Sequence, residues 1–146
     1  MVDYELSILI DRPAAEVFEY VTNPQNIPQW ASYVQDAAQT PAGQMRVGSQ
    51  IKQIVRGGEV TWEVTAYEPN SLYKYEADYW YASNAEVTFR VEATQGGTEF
   101  TVHDKGERKG FMRLLAPILG RNNYRIRKRQ MATIKEILER ANSPGS

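Results

Sequence analysis

Asp104 and Gln53 are the residues of this 146-residue chain with the most capacity for chemistry. Each falls at an inward position of a segment that otherwise alternates apolar with polar residues. A polar group on such a face must find a partner, because leaving it buried and unpaired costs about 1–3 kcal/mol. A carboxylate flanked by Phe89 and covered by a helix loses its water, and desolvation of that kind can turn an acid into a general base. Tyr75 and Tyr79, expected on the same face, bring hydroxyls able to hold an enolate oxygen. That set would suit proton abstraction beside a carbonyl, with Asp104 catalytic. The same groups could instead orient the polar head of a ligand that never reacts. A third reading leaves them satisfying one another or the covering helix, through Asn122 or Asn123, in a partner-binding domain with no functional cavity.

Other chemistries lack their residues. The chain has no cysteine, which excludes disulfides, thiolate metal sites and thiol nucleophiles. The single histidine, His103, has the opposite parity to Phe100 and Val102 and is expected to face water, so a Ser-His-Asp arrangement has no geometry. No His/Asp/Glu cluster has metal-ligand spacing, and no glycine-rich loop joins a strand to a helix. Neither metal nor cofactor is expected.

The elements that must position these residues are legible in order. Residues 4–10 alternate with Tyr4, Leu6, Ile8 and Ile10 on one face. Asp11 and Pro13 announce a short helix carrying Val17, Phe18 and Val21, and Asn23-Pro24 starts a second one with Ile27 and Trp30. Residues 32–107 read as six strands, making a seven-stranded antiparallel sheet with one wet face. Turns placed at Gly57-Gly58, Pro69-Asn70 and Gly96-Gly97 predict three rows across the inner face. These are Ile51–Val64–Tyr75–Val91–Val102, Gln53–Trp62–Ala77–Phe89–Asp104, and Val55–Val60–Tyr79–Val87–Gly106. Lys52, Glu63, Lys74, Glu76, Glu86, Arg90, Glu92 and Glu99 fall on the other face.

Residues 111–141 predict one long helix, with a bend at Pro117 and Gly120 that brings two out-of-phase apolar sets onto one side. The first set is Phe111, Leu115 and Ile118; the second is Ile126, Ile134, Ile137, Leu138 and Ala141. The expected architecture is α+β, a curved sheet wrapped around this helix in a single domain, 1–141, with 142–146 a disordered tail. One helix cannot fill a curved sheet, so an apolar pocket is expected. Its lining is predicted as Gln53, Val55, Trp62, Val64, Tyr75, Ala77, Tyr79, Phe89, Val91 and Asp104 from the sheet. The helix would add Phe111, Leu115, Ile118 and Asn122. The mouth should lie where Trp30, the Gly57-Gly58 turn, residues 80–84 and residues 106–110 gather.

Charge is unevenly placed: residues 1–103 carry 6 Lys/Arg against 14 Asp/Glu, and residues 104–146 carry 11 against 4. The cluster Arg121, Arg125, Arg127, Lys128, Arg129 reads as a solvated helix face. With an acidic remainder opposing polyanions, no nucleic acid is expected, and membrane contact is possible but not expected. No apolar run of signal-peptide length follows Met1, so the expectation is a cytoplasmic monomer or homodimer that takes a small hydrophobic ligand.

The segment RPAAEVFEYVTNPQNIPQW (12–30) resembles the start of the polyketide cyclase/dehydrase-like branch of the START and pollen-allergen helix-grip (SRPBCC) superfamily. VTAYEPN (64–70), GGTEFTV (96–102) and ATIKEILE (132–139) match later segments of that pattern, so the resemblance spans nearly the whole chain. It implies the helix-grip fold and a scaffold role for Phe18 and Trp30. It also implies either binding of a lipid, polyketide or aromatic molecule or, in a minority of members, cyclase or dehydratase activity. It carries no catalytic motif onto numbered positions.

Overall fold

Alternation builds the sheet. A computed structural model of the chain describes residues 2–78, 82–108 and 114–140, and within them seven strands form one antiparallel sheet. The strands are β1 (Val2–Ile10), β2 (Val34–Thr40), β3 (Gln50–Val55), β4 (Gly58–Glu68), β5 (Leu72–Ala77), β6 (Ala82–Thr94) and β7 (Gly97–Arg108). Their spatial order is β1-β7-β6-β5-β4-β3-β2. The sheet is therefore an open meander from β2 to β7, with β1 added beside β7. Two short helices, α1 (Ala14–Thr22) and α2 (Ile27–Trp30), carry the chain from one edge to the other. The long helix α3 (Ala116–Arg140) covers the concave face. This is the curved α+β sheet and C-terminal helix expected from the sequence.

The helix ends differ in detail from the expectation. Asp11 does not cap α1: Pro13 stands at the cap in an extended conformation, and the Asp11 amide instead donates to Glu139 Oε2 of α3 at 2.9 Å. Asn23 does act as expected, its side chain accepting from the Gln25 amide at 3.0 Å to start a 3-10 turn, Pro24–Asn26.

Apart from β4 beyond a bulge, the strands whose faces were predicted show them, but two of the three turn registers are displaced by two residues. In β3–β4 the partners are Gln53↔Val60 and Ile51↔Trp62, not Gln53–Trp62 and Ile51–Val64. In β6–β7 they are Val91↔Phe100, Phe89↔Val102 and Val87↔Asp104, not Ala93–Phe100, Val91–Val102 and Phe89–Asp104. The reason is the same in both. Each two-residue turn uses the residue before the glycine pair, Arg56-Gly57 and Gln95-Gly96, and the second glycine already belongs to the next strand. The third register holds at Val64↔Tyr75, then gains a bulge after Val64 that sets Tyr67, rather than Ala66, opposite Tyr73.

The predicted rows also set Tyr75 opposite Val91 and Ala77 opposite Phe89, whereas β5–β6 pairs Tyr75↔Val87 and Tyr73↔Phe89, a displacement of four residues. The rows across the inner face are therefore Val64–Tyr75–Val87–Asp104–Tyr4 and Tyr67–Tyr73–Phe89–Val102–Leu6. Phe89 sits at the centre of an aromatic cluster, with ring centroids 5.4 Å from Phe100, 5.6 Å from Tyr75, 5.9 Å from Tyr73 and 6.1 Å from Trp30. Such edge-to-face pairs stabilise beyond their buried area by about 0.5–1.5 kcal/mol each.

Helix α3 is continuous from Ala116, and Pro117 lies in its first turn, where a missing amide hydrogen costs nothing. The two apolar sets do not come onto one side. Met131, Ile134 and Leu138 face the core, while Leu115 and Ile118 stay exposed. Ile126, expected with the second set, is also exposed.

Candidate functional site

The inner stripe of α3 runs Asn123, Arg127, Gln130, Met131, Ile134 and Leu138, a 4-3-1-3-4 spacing that keeps one helix face toward the sheet. Arg127 thus projects inward from the middle of a basic cluster whose other members, Arg121, Arg125, Lys128 and Arg129, are exposed. It meets Asp104 squarely. Arg127 Nε donates to Asp104 Oδ2 at 2.8 Å and Nη2 donates to Oδ1 at 2.8 Å, while Nη1 donates to Gln130 Oε1 at 2.8 Å. Both side chains are only 11% exposed. The guanidinium also lies over the Phe89 ring, its Cζ 6.0 Å from the centroid.

A bidentate arginine–carboxylate pair suits burial, because geometry and charge are matched on both sides. Burial works against the charge of Arg127, but Asp104 more than offsets this and holds the guanidinium's pKa well above its ordinary value. Two tyrosines border the pair. Tyr4 is the direct cross-strand neighbour of Asp104, and its hydroxyl pKa is raised by burial and then by the Asp104 charge. Tyr75 is raised by burial, with the Arg127 charge pulling the other way.

Beside this pair opens a pocket of about 770 Å³. Val55, Val60, Trp62, Ala85 and Val87 give it apolar lining; Tyr4, Gln53, Asp104, Asn123, Arg127 and Gln130 add polar groups among them. Gly57, Gly58, Asp78 and Gly106 mark the end of the sheet at which it lies, the end where the sequence put a mouth. The volume falls within the roughly 300–1,000 Å³ of small-molecule sites.

Of the residues expected to line a pocket, the structure brings Gln53, Val55, Trp62 and Asp104 together there. Val64, Tyr75, Phe89 and Val91 are instead buried in the core, where Tyr75 and Phe89 pack against other aromatic rings. Ala77 is half-buried and off the pocket. Leu115 and Ile118 are exposed, and Asn122 is exposed while its neighbour Asn123 lines the pocket. Tyr79 and Phe111, like the tail 142–146, lie outside the described residues. His103 faces outward, its Nε2 2.6 Å from Asp3 Oδ1. Sequence reasoning missed Arg127, Gln130 and Tyr4. The signal was available for the first two: Arg127 is seven residues before Ile134 and eleven before Leu138, in phase with the buried stripe.

Among the described residues no group of His, Cys, Asp or Glu is arranged to hold a metal ion, and no helix is long and apolar enough to cross a membrane. A family described as polyketide cyclase / dehydrase and lipid transport matches residues 1–139. No curated protein matches the chain. Among solved structures, the di-domain ARO/CYC BexL from the BE-7585A biosynthetic pathway superposes with a TM-score of 0.79 at 17% identity, over 99% of this chain and 48% of that one. The protein MLL2253 from Mesorhizobium loti gives 0.67 at 21% identity, over 94% of this chain and 97% of that one. The Aha1 dimer from Colwellia psychrerythraea gives 0.57 at 22% identity, over 72% and 76%. At these identities the likeness concerns the fold.

Proposed function

The chain belongs to the polyketide cyclase / dehydrase and lipid transport family, and from that premise we propose that it binds a small amphipathic molecule in the pocket beside Asp104 and Arg127. The observation that carries this reading is a space of about 770 Å³ lined by apolar side chains together with a charge-compensated Arg127–Asp104 pair. Trp62, Val60 and Val87 would hold the apolar body of the ligand. Tyr4, Gln53, Asn123 and Gln130 would meet its polar end. Because Asp104 neutralises Arg127, the pair favours an uncharged polar group, such as a ketone or phenol oxygen, over a carboxylate that would compete with Asp104.

In this reading Asp104 positions Arg127 and is not a general base, since both its oxygens already accept from the guanidinium. Asp104→Asn separates binder from enzyme. Binding of a hydroxylated aromatic ligand, followed by calorimetry, should weaken about five- to tenfold, a hydrogen bond's worth. In a cyclase the same change would cost about 10²–10⁴ in turnover of a poly-keto substrate and leave the affinity for a non-reacting analogue nearly untouched. Turnover by the wild-type protein, lost in this way, would replace the binding reading by the catalytic one.

A further inference from the structure

The four cations of the basic cluster that point outward serve no internal purpose. Arg127, Lys135 and Arg140 each pair with an acid, but among the described residues no acid pairs with Arg121, Arg125, Lys128 or Arg129. Just ahead of them Leu114 is 84% exposed and Ile118 66% exposed, on a chain that buries most of its large apolar side chains. At 100° per residue Ile118, Arg121, Arg125 and Arg129 form one stripe, spaced 3-4-4, on the side of α3 facing away from the sheet.

We propose that the outward face of the first half of α3 is a docking surface for an anionic lipid bilayer. Leu114 and Ile118 would enter the interfacial region, and the arginines, one to three turns further along, would meet the headgroup phosphates. A nucleic acid would use the charges but has no use for two exposed aliphatic side chains at the head of the same stripe. The charge distribution orients the molecule. Glu63, Glu76, Glu92 and Glu99 lie on the outer face of the sheet, whose other face packs under α3, so the acids point away from the bilayer. The proposal is independent of what the pocket holds. It does put the pocket close by, since Asn123 and Arg127 line it from the inner side of the same helix, about 10–12 Å across.

The test is co-sedimentation of the full chain with phosphatidylcholine vesicles, with and without phosphatidylserine. Binding is expected only with phosphatidylserine and should fall as salt is raised. Replacing Arg121, Arg125 and Arg129 together by Gln should weaken it about 10²-fold. Leu114→Ser with Ile118→Ser should weaken it about tenfold or more. Both variants change exposed residues, and unaltered thermal melts would show them folded. Indifference of wild-type binding to phosphatidylserine, or equal binding by the arginine variant, would overturn the proposal. So would tight binding of an oligonucleotide that needs the arginines but not Leu114 and Ile118. A wild-type dimer that these substitutions dissociate, without any vesicle binding, would assign the face to a second copy of the chain.

Discussion

Along the concave face Phe89 and Phe100 lie 5.4 Å apart among buried aromatic rings; in the next row, toward the other end of the sheet, Arg127 and Asp104 share two 2.8 Å hydrogen bonds beside a pocket. The hairpin turns repeat the contrast. Both carry a residue followed by two glycines, Arg56-Gly57-Gly58 and Gln95-Gly96-Gly97. A Cβ on Gly97 would stand 2.3 Å from the Ile10 carbonyl oxygen, whereas one on Gly57 or Gly58 would meet nothing within 4 Å. The closed end is packed down to its turns, with Thr98 Oγ1 donating to the Arg12 carbonyl at 2.7 Å. The open end carries the Arg127–Asp104 pair and leaves room. The same meander therefore supplies a core where large side chains oppose one another, and a site where they do not.

The largest expected effect tests the closed end. Phe89→Ala should cost about 3–5 kcal/mol in a denaturant melt, because the four rings around it cannot collapse into the gap. A loss below about 1 kcal/mol would mean that this end is no better packed than the other. Next comes the ion pair. Arg127→Met leaves Asp104 buried without its counter-charge and should cost about 2–4 kcal/mol, somewhat under the usual figure for such a loss because the pocket admits water. Adding Asp104→Asn to that variant should recover part of the loss; no recovery would show that the arginine acts through packing on Phe89 instead.

The turns sharpen the comparison at smaller scale. Gly97→Ala combines a φ of +129° with a backbone clash and should cost about 1–3 kcal/mol more than Gly96→Ala, whose Cβ would only touch Leu9 Cδ2 at 3.6 Å. Gly57→Ala meets only the strain of its φ of +93°, about 1 kcal/mol. Equal costs at Gly57 and Gly97 would remove the distinction between the two ends.

The smallest effect is in alkali. Tyr4 and Tyr75 have folded-state pKa values raised above the ordinary 10.0, so the unfolded chain releases their protons first. Stability should hold below pH 10 and fall as pH rises beyond it. Tyr4→Phe and Tyr75→Phe should each flatten that fall, as measured by melts across the range.

Alternation and helical period were enough to determine the element order, the inner and outer faces, the covering helix and the inward aim of Asp104 and Gln53. They could not select cross-strand partners. A displacement of two residues keeps every side chain on its face, so the hydrophobic pattern reads the same in either register. Only the assembled sheet decided that Asp104 neighbours Tyr4 and Val87, and that Phe89 belongs to the core. The helical period put Arg127 in phase with the buried stripe, but a charge in a basic run is ordinarily solvated, so the pattern alone gave no reason to bury it. The partner that makes its burial tolerable, Asp104, is 23 residues away and meets it only when α3 lies across the sheet.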